Sequence, residues 1–550
     1  MTQPADRTDV ACPQDPASEQ HARQSTAARH LALVCLYALV IAGYFVLRYA
    51  TRWAEGDTTL VTRAIVSVQS RGTVLPYGGV VYPHGFSYQA VAVALLFATG
   101  LSVETLQTMV WPLLATTGLA LAAYVFYARL SGDSRVAILA VLFLLLQADM
   151  LFVTLRGSHE KLTWVLIVMA LTLLYHSIGG PLSLMVIDVF LFYLVIFALT
   201  SVNVFFASTF VAAVVLGLVF GMAGFILSRR RSSLAAGSLL PSDLRRLIYV
   251  SLSCGIVLFL FVVYVYPPAL LYVVQLGQVG DQIGAALLSF EASGQPYEYI
   301  SYGWISREAY LGLTLFTWML IALSLAEWVR QGIDILRGRQ ALSLSVSFDW
   351  LLYAGFALQV GVSIGVDYAG VLSQNLQLRI FPGFTIMAAL LLARGAWRLF
   401  SSPRLSPGRR PRRLVLGLLA LACAWFAVAS VLKATNEPLL SNKWIFYSLS
   451  EDGSIGWTEE HVRSASVWSG VDERLREVFN LRHRATTQSE NKYAAFTLHI
   501  EHRYVLLSER EQLHGMRMGV PVPLVDDWLR VYDNGDVSLY HRRPRTPYQR

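Results

Sequence analysis

Apolar runs close to 20 residues long recur between residues 31 and 433, and they constrain this chain more than any other feature. Each is long enough to cross about 30 Å of hydrocarbon as a helix. The polar pieces between them are short and hold the arginines, at 129–135, 229–246, 330–339 and 398–413. Inside loops attract Lys and Arg, so all four blocks belong on the cytoplasmic side. That register requires residues 86–100 not to cross. The segment has about 15 residues, short for a span, and reads as a helix at the outer interface or a re-entrant one. Eleven spans follow, near 31–48, 104–127, 136–153, 162–178, 182–199, 202–228, 247–270, 309–329, 350–366, 380–397 and 414–433. The N-terminus is then inside and the C-terminus outside.

Composition agrees. The 550 residues are 55% hydrophobic and 15% charged, against about 25% charged in soluble domains. The fold class is therefore an α-helical polytopic membrane protein, multi-pass in the plasma (inner) membrane. The net charge of +8 lies in short loops, where it orients spans, so it is no sign of nucleic-acid binding. Cys35, Cys254 and Cys423 sit in apolar runs and Cys12 in the polar tail, with neither metal-ligand spacing nor a disulfide framework. Residues 1–30 are Pro-, Gln- and Ala-rich and read as a disordered cytoplasmic tail. They are too long and polar for a signal peptide's n-region, so residues 31–47 form an uncleaved first span. The transmembrane part is then 31–433, with an outer loop at 51–103. Beyond residue 434 the chain is polar and carries strand signals, at 493–507 and around Asn534-Gly535 in 529–540. This stretch, 434–550, reads as a small α+β extracytoplasmic domain with a structural role.

Three polar clusters fall in outer loops. The first is the 51–89 stretch, with the acids Glu55 and Asp57 and then Tyr82-Pro83-His84-Gly85. A carboxylate near a bilayer is costly unless it is used or paired. Asp57 also suits the N-cap of a helix starting at Thr58, and Glu55 could pair with Arg52. The second cluster is Arg156-Gly157-Ser158-His159-Glu160-Lys161, dense in charge for so short a turn. Ordinary interface residues would explain it; so would a site for a phosphate, a metal or a sugar hydroxyl. The third is Gln374-Asn375-Leu376-Gln377-Leu378-Arg379, opening the span at Ile380. Arg379 can snorkel there or hold a lipid phosphate. Walker, HExxH, GxSxG and CxxC motifs are absent, so nucleotide-driven transport, zinc proteolysis and thiol redox chemistry have no support.

Taken together, Trp53-Ala54-Glu55-Gly56-Asp57 after the first span, Tyr82-Pro83-His84-Gly85-Phe86 before an interfacial helix, a second outer acid and a terminal VYDNGDVSLY resemble the GT-C superfamily of integral membrane glycosyltransferases. Its relatives include the protein O-mannosyltransferases and lipid A aminoarabinose transferases. The resemblance implies transfer of a sugar from a polyprenyl-phosphate donor to a glycan, lipid or protein acceptor on the extracytoplasmic face. Asp57, with Glu55 beside it, matches the family's catalytic base. Glu160 matches the second-loop acid that helps bind metal or acceptor, and Tyr82, His84, Arg156, His159, Lys161, Gln374 and Arg379 are the candidate substrate-binding residues. A divalent cation is the cofactor such a site could take, although the second loop here reads His159-Glu160 and lacks an Asp-containing pair. Two other classes share these features: a transporter or flippase for lipid-linked solutes, and a lipid-linked glycan polymerase or ligase. A transporter would concentrate ionisable groups at mid-membrane, where the in-span candidates are only Asp149, Asp188 and Asn203.

Overall fold

Helix α1, Pro16–Tyr49, begins well ahead of the apolar run at Leu31. It therefore enters the stretch whose composition reads as disordered. Helix formation is cooperative, so residues such as Ala22, Arg23 and Gln24 extend an existing helix without a second nucleus. Pro16 at its first position has the fixed φ that suits a helix start. The computed structural model describes residues 16–49, 56–74, 84–179, 182–229, 241–270, 307–337, 339, 344–368, 376–401, 409–435, 448–462, 467–468, 503–509 and 524–543.

Two short helices follow α1: α2, Gly56–Arg71, and α3, Ser87–Thr99. At 13 residues α3 is about 20 Å long and cannot cross, as expected for 86–100. Its Ala92 and Leu96 pack with Val61 and Ile65 of α2 and with Val202. Next comes α4, Val103–Ser131, a continuous helix with a π-helical turn at Leu106–Val110.

The expected straight span at 136–153 is broken. Helices α5, Ser134–Leu145, and α6, Ala148–Leu155, meet at 76°. Neither Pro nor Gly stands at the break. Gln147 there has an extended backbone, and Asp149 lies in the first turn of α6. The pair still traverses the bundle. Ser134 Oγ hydrogen-bonds His30 Nδ1 at 3.1 Å, near the start of α1's apolar run. Past α6, Gly157 abuts Thr58, beyond the other end of α1.

The remaining helices are α7, Glu160–Gly179; α8, Leu182–Val202; α9, Val204–Arg229; α10, Pro241–Leu260; α11, Arg307–Leu336; α12, Leu344–Tyr368; α13, Leu376–Ser401; and α14, Arg409–Ala434. Among the described residues nine helices are long and apolar enough to cross a membrane, and the bent pair makes a tenth. Helix α14, with Leu421–Ala434 as its described apolar part, occupies the eleventh expected place. Helix α13 lies at the centre, with 78% of its apolar stretch buried against 22% in α10 and in α11. On the outside, Leu47, Phe97, Val186, Phe190, Leu252 and Phe259 are exposed. A water-soluble fold would hide side chains of this size, and a bilayer solvates them.

Arginines gather at one end of the bundle. Arg394 on α13 ion-pairs Asp349 on α12, and its Nη2 donates to the Leu130 carbonyl at 3.1 Å. Arg398 pairs with Glu327 on α11, which also holds Arg330 at 2.9 Å. Arg246 donates to the Ile178 carbonyl at 3.0 Å, and Arg135 lies over the Trp397 ring. Beyond α14, α15, Leu449–His461, starts with a capping box of Ser448 and Glu451. Strands β1, Val467–Trp468; β2, Tyr504–Ser508; β3, Leu529–Asp533; and β4, Val537–His541 form one sheet in the order β1-β2-β4-β3. β1 runs parallel to β2, and the other pairs are antiparallel. Ile455, Val462, Val467, Leu506, Val537 and Leu539 make a separate small core beneath it. The β3–β4 turn falls at Asn534-Gly535, as its sequence predicts, and β2 takes up the end of the expected strand region 493–507. Residues 493–502 lie outside the described residues.

Candidate functional site

The connection from α6 to α7 carries the densest charge at the end opposite the arginines. Its residues Arg156, His159, Glu160 and Lys161 are all buried. Ser158 accepts a long 3.4 Å hydrogen bond from Glu160 N and so starts α7. Arg156 Nη2 meets Glu160 Oε2 at 2.5 Å, and its guanidinium sits 4.9 Å from the Phe152 ring centroid. The pair is fully desolvated, so each charge depends on the other. A Cβ on Gly157 would overlap the side chain of Thr58. Only glycine lets this turn touch the first turn of α2, where Asp57 lies. Lys161 is 0% exposed, and among the described residues its Nζ has no hydrogen-bond partner.

The loop before α3 is docked by its backbone onto the corner between α8 and α9. Phe86 N donates to the Ser201 carbonyl at 2.9 Å, and Val204 N donates to the His84 carbonyl at 2.8 Å. Gly85 lies between them, and a Cβ there would collide with the Ser201 and Val202 carbonyls. The Phe86 ring packs against Phe261 and Tyr266 at the end of α10. This docking sets the His84 ring 6.3 Å from that of His159. Asn203, at the same corner, caps α9: its Oδ1 accepts from Phe206 N at 3.1 Å. Its Nδ2 meets His159 Nε2. His159 is held well below the ordinary imidazole range by burial first, then by the positive charges of His84, Arg156 and Arg379.

Arg379 reaches this place from the start of α13. Both carboxylate oxygens of Asp367, near the end of α12, cap that helix, accepting from Leu376 N at 2.8 Å and Gln377 N at 2.7 Å. A Cβ on Gly383 of α13 would touch the Trp164 ring of α7 at 3.4 Å, which puts the two helices side by side. One turn before that contact stand Arg379 on α13 and Lys161 on α7. Four helix N-termini thus meet at this end, those of α2, α7, α9 and α13. A helix N-terminus carries partial positive charge, which favours anions, although at α13 and α9 the side chains of Asp367 and Asn203 already take up first-turn N–H groups.

Comparison with known proteins adds the frame. No family model matches the chain, and no curated protein matches it. Among solved structures, ArnT from Cupriavidus metallidurans bound to undecaprenyl phosphate is 12% identical, at a TM-score of 0.52, over 92% of this chain and 97% of its own. The same protein in its apo state is 13% identical, at a TM-score of 0.50, over 94% and 98%. The chain shares the fold of this ArnT over most of its length. An Archaeoglobus fulgidus oligosaccharyltransferase in complex with Zn and sulfate is 11% identical, at a TM-score of 0.49, over 87% of this chain and 68% of its own.

Within this fold, His84, Arg156, His159, Glu160, Lys161 and Arg379 come together from three separate sequence clusters. Glu55, Tyr82 and Gln374 lie outside the described residues, and of Asp57 the backbone alone is described. Helix α2 begins at Gly56, so Asp57 stands in its first turn and not at the N-cap that a start at Thr58 implied. Glu160, the match for the second-loop acid that helps bind metal or acceptor, is ion-paired with Arg156. Among the described residues no three His, Cys, Asp or Glu side chains are grouped to hold a metal ion. Asp367 is a site residue that the sequence did not single out, and Asn203 stood out only as an in-span polar candidate for a transporter. Their signal was weak: one polar side chain at a corner too short to see, and one acid at a span's end.

Proposed function

We propose that this chain is a membrane glycosyltransferase that takes a sugar from a polyprenyl-phosphate donor and passes it to an acceptor on the extracytoplasmic face. The observation that carries the reading is Lys161, a fully buried amine with no hydrogen-bond partner among the described residues, set where four helix N-termini meet. An amine buried without a partner is costly to charge, and a bound anion is the partner that would let it carry its charge there. Arg379 is the second cation for it. Arg156 is already paired with Glu160 and serves to stiffen the loop. The class of anion we propose is a phosphate on a long isoprenoid tail, a reading supported by the similarly folded ArnT bound to undecaprenyl phosphate.

In the reaction, Asp57 takes the proton of an acceptor hydroxyl. The freed oxygen attacks the anomeric carbon, and the bond from that carbon to the phosphate oxygen breaks with inversion. The leaving polyprenyl phosphate keeps the electron pair and needs charge neutralisation more than a proton, which Lys161 and Arg379 supply. By the positive-inside rule the arginine-rich end is cytoplasmic, so the site faces outward in the plasma (inner) membrane, and the domain from residue 434 lies on the same side.

A transporter of lipid-linked glycans is the competing reading, favoured by the broken span at α5–α6 with Gln147 at its corner. Incubating the purified protein with a panel of radiolabelled polyprenyl-phosphate sugars and a membrane extract of acceptors separates the two. Label moving into a new product supports transfer. Label that stays on its lipid with every donor, while the protein flips that lipid in vesicles, overturns it.

A further inference from the structure

His159 lies among cations, and the geometry around it fixes more than its position. Asn203 caps α9 through Oδ1, which accepts the Phe206 N–H at 3.1 Å, while its own carbonyl accepts from Ala207 N at 3.1 Å. A backbone N–H needs an acceptor, so the amide cannot flip without losing the cap. Nδ2 is thereby committed to the His159 side, where it meets Nε2. An amide NH₂ only donates, so Nε2 must be the acceptor, and a neutral ring that accepts at Nε2 carries its proton on Nδ1. Asn203 is 1% exposed and His159 5%, so water does not compete for this bond.

We infer that Asn203 is a positioning residue that locks His159 as the neutral, Nδ1-protonated tautomer, making it a hydrogen-bond donor to the anion bound at this end. The inference rests on the reading of the site as a lipid-phosphate site. A neutral donor suits it for a physical reason. Arg156, Arg379 and His84 already bear on the ring, with Glu160 engaged by Arg156 and Asp367 on the start of α13. A further full charge would add repulsion among these cations, whereas an N–H adds direction without it. The helix cap supplies the rigidity. Whatever holds the first turn of α9 in place holds the His159 proton in place.

Substitution of Asn203 by Asp tests this, because Asp caps helices as well as Asn and replaces the Nδ2 donor with an acceptor. The ¹⁵N NMR spectrum of ¹⁵N-histidine-labelled protein in nanodiscs reads the tautomer, with His159→Gln identifying the signal. The wild type should show a pyrrole-like Nδ1 and a pyridine-like Nε2, and Asn203→Asp should move the proton to Nε2. With a donor substrate identified, Asn203→Asp should raise its apparent KM at least about tenfold with a smaller change in kcat, the misdirected N–H and the added negative charge acting together. A wild-type spectrum with the proton on Nε2 overturns the inference by itself, whether or not the variant folds. An unchanged KM in a variant whose tautomer has switched overturns the donor role. If no lipid-phosphate sugar is a substrate, the proposed function fails instead, and the spectrum still decides the tautomer.

Discussion

Asp57 and Asn differ by one proton-accepting oxygen, and at the start of α2 that difference separates two roles. As a first-turn acid, Asp57 interacts with the helix dipole, worth about 0.3–1 kcal/mol. As a general base, it carries about 10²–10⁴-fold in rate. Asp57→Asn should therefore abolish transfer measurably while shifting the melting temperature little. Glu55→Gln should cost less. A fully active Asp57→Asn beside a dead Glu55→Gln would mean that the base is Glu55. At this scale the sequence exposed those groups that stand out as polar in short turns between apolar runs: His84, Arg156–Lys161 and Arg379. It hid roles that depend on a neighbour in space. Asn203 read as a polar residue within a span because the α8–α9 corner is a single residue long. Arg156 and Glu160 stood out only as members of a dense turn, and that they pair with each other emerges from the structure.

Element contacts fix where those side chains go. The loop before α3 is held by two backbone hydrogen bonds on either side of Gly85, with carbonyl groups against its α-carbon. Gly85→Ala should cost about 1–3 kcal/mol of stability by overpacking, since backbone cannot move aside as a side chain tip does. It should also weaken transfer, because His84 shifts with the loop. Gly118→Ala is the control: its added methyl would meet Val165 Cγ2 at an ordinary 3.9 Å, so the melting temperature should hold. A Gly85→Ala protein as stable as the control would show that the loop is not docked there. Helix positions were legible from apolar length. The break at Gln147 was not, since nothing in the local sequence forbids helix through Leu146, and neither was the extension of α1 back to Pro16. Both depend on packing and cooperativity, which a window of residues does not contain.

Across the whole molecule, two ends of unlike chemistry face each other through an apolar bundle. One holds Arg135, Arg246, Arg330, Arg394 and Arg398, and the other holds the helix N-termini around Lys161. Reporter fusions after Ser401 and after Lys443 should report opposite sides, cytoplasmic and then extracytoplasmic, and the same side for both would break the topology. The arginine register made this architecture readable, because charge in loops and apolar length in spans are properties of composition. The proposed anion site was less readable, as its parts lie more than 200 residues apart, from Lys161 to Arg379. The most direct test of it is the affinity of undecaprenyl phosphate for the purified protein in nanodiscs, with Lys161→Met and Arg379→Ala alongside. A charge-assisted hydrogen bond carries about 1.5–3 kcal/mol, so each variant should bind roughly tenfold or more weakly. Lys161→Met should meanwhile melt no lower than wild type, since it replaces a buried amine that has no hydrogen-bond partner among the described residues by an apolar side chain of similar length. Equal affinity in all three proteins would contradict the account.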